Sequence, residues 1–427
     1  MRRSSAHRRQ RGACRAAAAT AAFAMAVPAH AQYAVSDSGD TAWMLISAIV
    51  ILIAAIPGFA LYVAGRLRSG SIASAFTHMF GIVAGVSTVW ALIGYSLAFG
   101  VGDPWLGGAG NAVLGNLGEL REGLTVPESA FALVQMAAAV LAAVLIAGAV
   151  AERVRLGWLM LLAPIWSLVA YAPIARSLWN GGWLARMGVQ DYAGGLLLCV
   201  GAGTAALVAA TIVGRRAEPA LPPTPGGEAL SLAGVALMWV GWLALGGGLA
   251  LGATDSTAAT LINIHLAAAG GVIAGGLAQH VLSGRASAVG LAQGALAGLA
   301  ASSAGAILIG PGGAIVIGLV AGALCPVIGN ILRSVLKVDD AAQIGGTFLG
   351  GGVIGALLLV PFASTSLGGA GLNEGISVGG ALLAQLIGIG AVVAWSGIVT
   401  AILGLAISMV IPVRVTSAVE AQGLDVG

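Results

Sequence analysis

The chain has 427 residues; 59% are hydrophobic, only 8% are charged, and the formal net charge is +3. A soluble domain of ordinary composition carries about 25% charged residues, and this much apolar surface exceeds what one water-exposed core can bury. A soluble globular domain is therefore excluded, the weak positive charge gives no footing for nucleic acid, and the solvent of this chain is lipid.

The chain opens as a secretory signal peptide. Six of the 19 basic residues (Arg2, Arg3, Arg8, Arg9, Arg11, Arg15) fall in the first fifteen positions, followed by the apolar stretch 16–27 and by Ala29-His30-Ala31 before Gln32. Residues 1–31 are expected to be removed, taking His7, Cys14 and His30 with them. The mature N-terminus would then lie on the periplasmic side of a bacterial inner membrane.

Eleven apolar runs follow, at about 41–65, 74–100, 129–151, 157–178, 192–214, 229–251, 258–281, 287–307, 313–335, 342–362 and 379–411. Each is about 20 residues or longer and does not alternate, so helices are expected rather than strands. In hydrocarbon every backbone donor and acceptor must be bonded internally, which a helix does within itself. The expected fold is all-α: a polytopic helix bundle spanning residues 39–412, with a tail at 413–427. The eighth run, mostly Gly, Ala and Ser, is the weakest. The eleventh would extend roughly 50 Å at 1.5 Å per residue and must tilt or protrude.

An odd number of spans puts the two ends on opposite sides. With the N-terminus outside, ten basic residues (Arg66, Arg68, Arg153, Arg155, Arg215, Arg216, Arg285, Arg333, Lys337, Arg414) fall in cytoplasmic turns and three (Arg121, Arg176, Arg186) outside. That is the distribution expected of a chain whose C-terminus is cytoplasmic. Residues 101–128 form a long periplasmic connection. The Pro-rich 215–228 comes after five spans, so a second five-span half would run inverted, giving repeats at about 41–214 and 229–362 with solute sites between them. Spacings such as Gly294/Gly298, Gly318/Gly322 and Gly351/Gly355 suit close helix packing. Three cysteines, Cys14, Cys199 and Cys325, are too few for a disulfide framework.

Charges inside spans are the strongest functional pointers in a membrane protein, and here they are nearly absent. Asp191 stands at the mouth of the fifth span, and Asp339 and Asp340 at the start of the tenth. Capping of the helix start and support of a nearby cation are compatible roles for them. Eight residues further, about 12 Å deeper, Cys199 and Phe348 occupy equivalent places near the midplane, one small and weakly polar, the other an apolar plug. His78, His265 and His280 show no metal-ligand spacing. Trp179, in Trp-Asn-Gly-Gly-Trp (179–183), reads either as an interfacial anchor or as a cation–π wall of an outer vestibule. No phosphate-cradling loop, nucleophile–base pair or zinc signature occurs, so neither enzymatic activity nor a cofactor is expected.

The segments GDTAWMLISA (39–48), IPGFALYVAGRLRSG (56–70), GYSLAFG (94–100), VPESAFALVQM (126–136), GAVAERVR (148–155), YAP (171–173), WNGGWL (179–184), DYAGG (191–195), HLAAAGG (265–271), VDDA (338–341) and GLD (423–425) closely resemble the ammonium transporter (Amt/Mep/Rh) family, in order along residues 39–425. The resemblance implies a homotrimer of eleven-helix subunits, each with a narrow hydrophobic pore for ammonium or ammonia. It also implies an outer recruitment site and a cytoplasmic face able to dock a PII-type signal protein. Trp179 matches the family's vestibule tryptophan, Asp191 its essential aspartate and Asp340 the second helix-start aspartate. The central pore histidines would fall at Cys199 and Phe348, the two gate phenylalanines at Ala138 and Leu245, and the vestibule serine at Leu249. The family's WFGWFGFN-like run reads WVGWLALG (239–246) here. The expectation is ammonium or ammonia transport through a rebuilt pore. Its rivals are a non-conducting sensor or scaffold, and a channel for another small neutral solute.

Overall fold

The computed structural model describes residues 36–217, 226–372 and 375–425. The expected signal peptide, residues 1–31, lies outside the described residues, as does most of the Pro-rich connection. Among the described residues the chain is built from helices and turns, with β-pairing confined to isolated bridges.

Ten helices are long and apolar enough to cross a bilayer: the first (Ser38–Ala64), second (Ser69–Phe99), third (Glu128–Val150), fourth (Leu156–Arg186), fifth (Gly195–Val213), sixth (Gly227–Gly248), seventh (Asp255–Ser283), ninth (Pro311–Leu336), tenth (Gly345–Phe362) and last (Val378–Ser408). The eighth, Ala288–Ser302, has 15 residues, a rise of only about 22 Å. It is shorter than the 287–307 expected, for a visible reason. Beyond Ser302 the chain turns inside the bundle, and its carbonyls find partners there. Ser303 O and Ala304 O accept from the N–H groups of Ala193 (2.7 Å) and Tyr192 (3.0 Å). Asn263 Nδ2 donates to Ala306 O (2.8 Å) and Ile309 O (2.7 Å). Unwound backbone is tolerated at membrane depth only when satisfied in this way.

Five helix starts are closed by a side chain of the preceding residue. Asp37, Ser287, Ser377 and Thr416 each accept from a first-turn N–H, and Thr254 forms a reciprocal capping box with Thr257. The small-residue spacings mark backbone-to-backbone packing. A Cβ on Gly298 would sit 2.2 Å from Ala267 O, one on Gly318 2.0 Å from the same carbonyl, and one on Gly355 1.9 Å from Ala301 O. These glycines let the seventh, eighth, ninth and tenth helices touch where any side chain would hold them apart. The third span is almost wholly buried and the last largely exposed, so the third is the axis of the bundle and the last its rim.

Most of the charge gathers at one end. Arg216 forms a two-pronged pair with Asp339 (2.8 Å on each prong) and reaches Glu152 at 3.1 Å. Arg153 donates to Gly214 O (2.8 Å) and to the carbonyl of Asp339. Burial alone would raise the Asp339 carboxyl, but Arg216 outweighs it and holds it down at about 2. The tail folds back onto this end. Arg155 N donates to Val413 O (2.9 Å) and Val415 N to Arg153 O (3.0 Å). Glu420 accepts from Arg414 (2.7 Å) and from Ala217 N (2.7 Å). Asp425 closes the start of the second span by accepting from Ala73 N (2.8 Å) and Ser74 N (2.6 Å). At the opposite end Arg121 pairs with Glu128 (3.1 Å) and Asn180 (3.0 Å).

Candidate conduit

The same local device begins the fifth and tenth helices. Asp191, 7% exposed, accepts from Leu196 N (3.0 Å) and Leu197 N (2.9 Å), and the next element is a π turn, Gly195–Val200. Asp340, 3% exposed, accepts from Ile344 N (3.0 Å) and Gly345 N (2.8 Å), and again a π turn follows, Gly345–Leu349. In each case a carboxylate takes up helix-start N–H groups that hydrocarbon would leave orphaned. The fifth helix requires Gly194 in the left-handed region (φ 84) to bring its backbone round onto Asp191.

At the end of the bundle away from the folded-back tail, Trp179 and Asp191 are joined. The indole Nε1–H donates to the main-chain carbonyl of Asp191 at 2.5 Å, and the ring is half-buried. The next residue, Tyr192, donates its hydroxyl to Gly246 O at 2.7 Å and ties this corner to the sixth span. The third and sixth spans meet where a Cβ on Gly248 would stand 3.4 Å from Val134. Ala138 on the third span lies one turn deeper than that contact, and so does Leu245 on the sixth; both are fully buried. Leu249, 7% exposed, ends the sixth span above them.

At mid-depth Phe348 is fully enclosed between two aromatic rings. Phe59 meets it edge-on (centroids 6.2 Å, 79°) and Trp242 lies tilted against it (5.8 Å, 36°). All three side chains have less than 2% exposure. Trp242 is fixed in turn, since its Nε1–H donates to Ser303 Oγ (2.8 Å), which donates to Leu299 O (2.9 Å). Cys199 is equally buried and faces the tenth helix, where a Cβ on Gly352 would come within 3.0 Å of its own. Neither Cys199 nor Phe348 reaches the outer surface of the bundle. The three described histidines stand elsewhere: His78 lines a cavity at the charged end beside Asp425, while His265 and His280 are exposed, His265 against Trp239 (5.2 Å).

Asp191, Asp340, Cys199 and Phe348 are all buried in the bundle, and their neighbours Phe59, Trp242, Tyr192 and Ser303 are not marked out by the sequence. Phe59 and Trp242 sit inside quoted segments, yet nothing local marks a residue as the neighbour of a ring roughly 290 or 106 positions away. Trp242 finds an acceptor for its indole N–H in Ser303, whereas Trp90, Trp166 and Trp239 do not, and nothing local in the sequence separates them.

Residues 42–427 match the model of the Ammonium Transporter Family. The chain is 35% identical over 399 residues to a putative ammonium transporter of Methanothermobacter thermautotrophicus, covering 91% of this chain and 97% of that one. It is 34% identical to an ammonium transporter of Bacillus subtilis, covering 91% and 96%. Among solved structures, a sensor Amt protein superimposes with a TM-score of 0.84 at 25% identity, over 91% of this chain and 97% of its own. Mep2 from Candida albicans superimposes with a TM-score of 0.79 at 29% identity, over 89% and 87%.

Proposed function

Because this chain belongs to the ammonium transporter family, we propose that it passes ammonium nitrogen across the membrane as neutral ammonia. The observation that carries this reading is the midplane: Phe348 sealed between Phe59 and Trp242, with no histidine beside it among the described residues. A bare cation in such surroundings costs several kcal/mol or more. Ammonia carries no charge and needs only that a ring swing aside.

In this reading Trp179 attracts the cation at the outer mouth through its ring face. The Asp191 carboxylate is committed to backbone N–H groups, so its part is to fix the corner on which Trp179 hangs and to favour positive charge nearby. The proton is left outside. Ala138, Leu245 and Leu249 form an apolar throat, and Cys199 and Phe348 line the passage below it. Asp340 supports the inner mouth as Asp191 supports the outer. We place the chain in the bacterial inner membrane as a homotrimer, with the mature N-terminus periplasmic and the C-terminus cytoplasmic. The folded-back tail and its Arg216–Asp339 neighbourhood then make the face on which a PII-type protein would dock.

Growth at limiting ammonium of a strain lacking its own ammonium transporters tests the reading. Rescue is expected. A well-expressed, membrane-inserted protein that gives no rescue would overturn it and leave a sensor or scaffold role.

A further inference from the structure

Between the fourth span and the last helix, on the side of the 101–127 connection, lies a crevice of about 410 Å³. That is within the range of about 300–1,000 Å³ typical of small-molecule sites. Pro173 and Ile174 form one wall and Ala391, Ala394 and Trp395 the other, with Trp105 and Trp183 at the mouth.

Local chemistry explains why the helices part here. Pro173 has no N–H, so the carbonyl four residues earlier, Val169 O, loses its helical partner. Trp395 supplies one, its Nε1–H donating to Val169 O at 3.1 Å. The π turn Ser167–Tyr171 sits at the same place and widens the helix. Alanines at 391 and 394 leave the facing surface of the last helix low. The mouth is equally fixed. Trp105 and Trp183 stack at 4.9 Å and 28°. Arg176 holds the turn that carries Trp105 by donating to the carbonyls of Gly100 (2.8 Å), Gly102 (3.1 Å) and Asp103 (2.9 Å). The space is therefore a rigid slot, open to the lipid side, where Trp395 is 46% and Ile398 58% exposed.

Opposite charges flank the tryptophan pair. Asp103 is exposed two residues before Trp105, and its carboxylate accepts from Trp105 N (2.7 Å) and Leu106 N (2.8 Å), contacts that lower its pKa. Arg186 is exposed one turn after Trp183, its Nε donating to Gly181 O at 2.8 Å. Paired tryptophans are the side chains that settle at headgroup depth. We propose that this slot binds one acyl chain of a zwitterionic phospholipid, its phosphate toward Arg186 and its amine toward Asp103. An anionic headgroup would meet the Asp103 carboxylate with no cation of its own to offer. The inference does not depend on what the conduit carries.

Full-length protein in vesicles of mixed phosphatidylethanolamine and phosphatidylglycerol, with one or the other carrying a photoreactive diazirine on its acyl chain, tests it by mass-spectrometric mapping. The phosphatidylethanolamine probe should label residues 173–177 and 391–398 at least five-fold above the equally exposed Leu383, Ile402 and Leu405 of the same helix. Ala394 is itself exposed, so Ala394→Phe fills the slot without disturbing the core and should remove that excess. Even labelling along the last helix, or excess labelling that survives A394F, overturns the site. Stronger labelling by the phosphatidylglycerol probe overturns the headgroup assignment. Cross-linking of a second copy through the slot would make it a subunit contact, and that also contradicts the proposal.

Discussion

The fifth and tenth helices open alike and carry different side chains deeper down. Each begins with a buried aspartate that accepts two backbone N–H groups, and each continues into a π turn. Eight residues beyond the aspartate, one presents a thiol and the other a phenyl ring. The common part is imposed by the solvent: at membrane depth a helix start cannot be left to water, so an acceptor must be built in. The lining is under no such demand. Cys199 and Phe348 satisfy hydrocarbon equally well, and packing is what distinguishes them. Phe348 fills the space between Phe59 and Trp242, whereas Cys199 sits where the tenth helix approaches through Gly352.

The widest effects should come from the shared device. Asp191→Ala and Asp340→Ala each orphan two buried donors, at about 1–3 kcal/mol per group, so both should lose about 2–6 kcal/mol, read as early thermal unfolding in detergent. If one variant unfolds early and the other is neutral, the two openings are not equivalent. The linings should then separate. Phe348→Ala leaves a cavity at a cost of about 3–5 kcal/mol and should raise ammonia permeability, measured as the rate of internal alkalinisation in vesicles. Cys199→Ala should change neither by much.

The neighbouring carboxylates 339 and 340 sharpen the contrast further. Asp339 is held at about 2 by Arg216, against an ordinary value of about 3.9. A depressed carboxylate gives its full stabilisation above the ordinary value and loses it as pH falls toward the folded one. Stability should therefore decline between about pH 4 and pH 2, and Arg216→Ala should remove that part of the profile, which acid titration of thermal stability would reveal. The smallest change is at the ring that backs Phe348. Trp242→Phe keeps most of the packing and loses one hydrogen bond to Ser303, a difference of about 1 kcal/mol.

Much of this architecture is legible in the sequence because membrane helices answer to local rules. Apolar length marks the ten helices long enough to cross a bilayer, and Asp191 and Asp340 stand out as rare charges at helix mouths. Close glycine packing at 298, 318 and 355 also follows from spacing alone. What escapes a local reading depends on distant partners. The eighth helix stops at Ser302 because Tyr192, Ala193 and Asn263 satisfy the turn that follows it. The tail is pinned because Asp425 caps a helix that begins more than 350 positions earlier. Phe59 and Trp242 join the candidate conduit only through the ring they enclose.

An apolar passage of this kind should move nitrogen without moving charge. Purified protein in sealed vesicles, given an ammonium pulse while internal pH and membrane current are recorded together, tests this most directly. Internal alkalinisation with no current above that of empty vesicles is the predicted result. A sustained current that grows with ammonium concentration would contradict it.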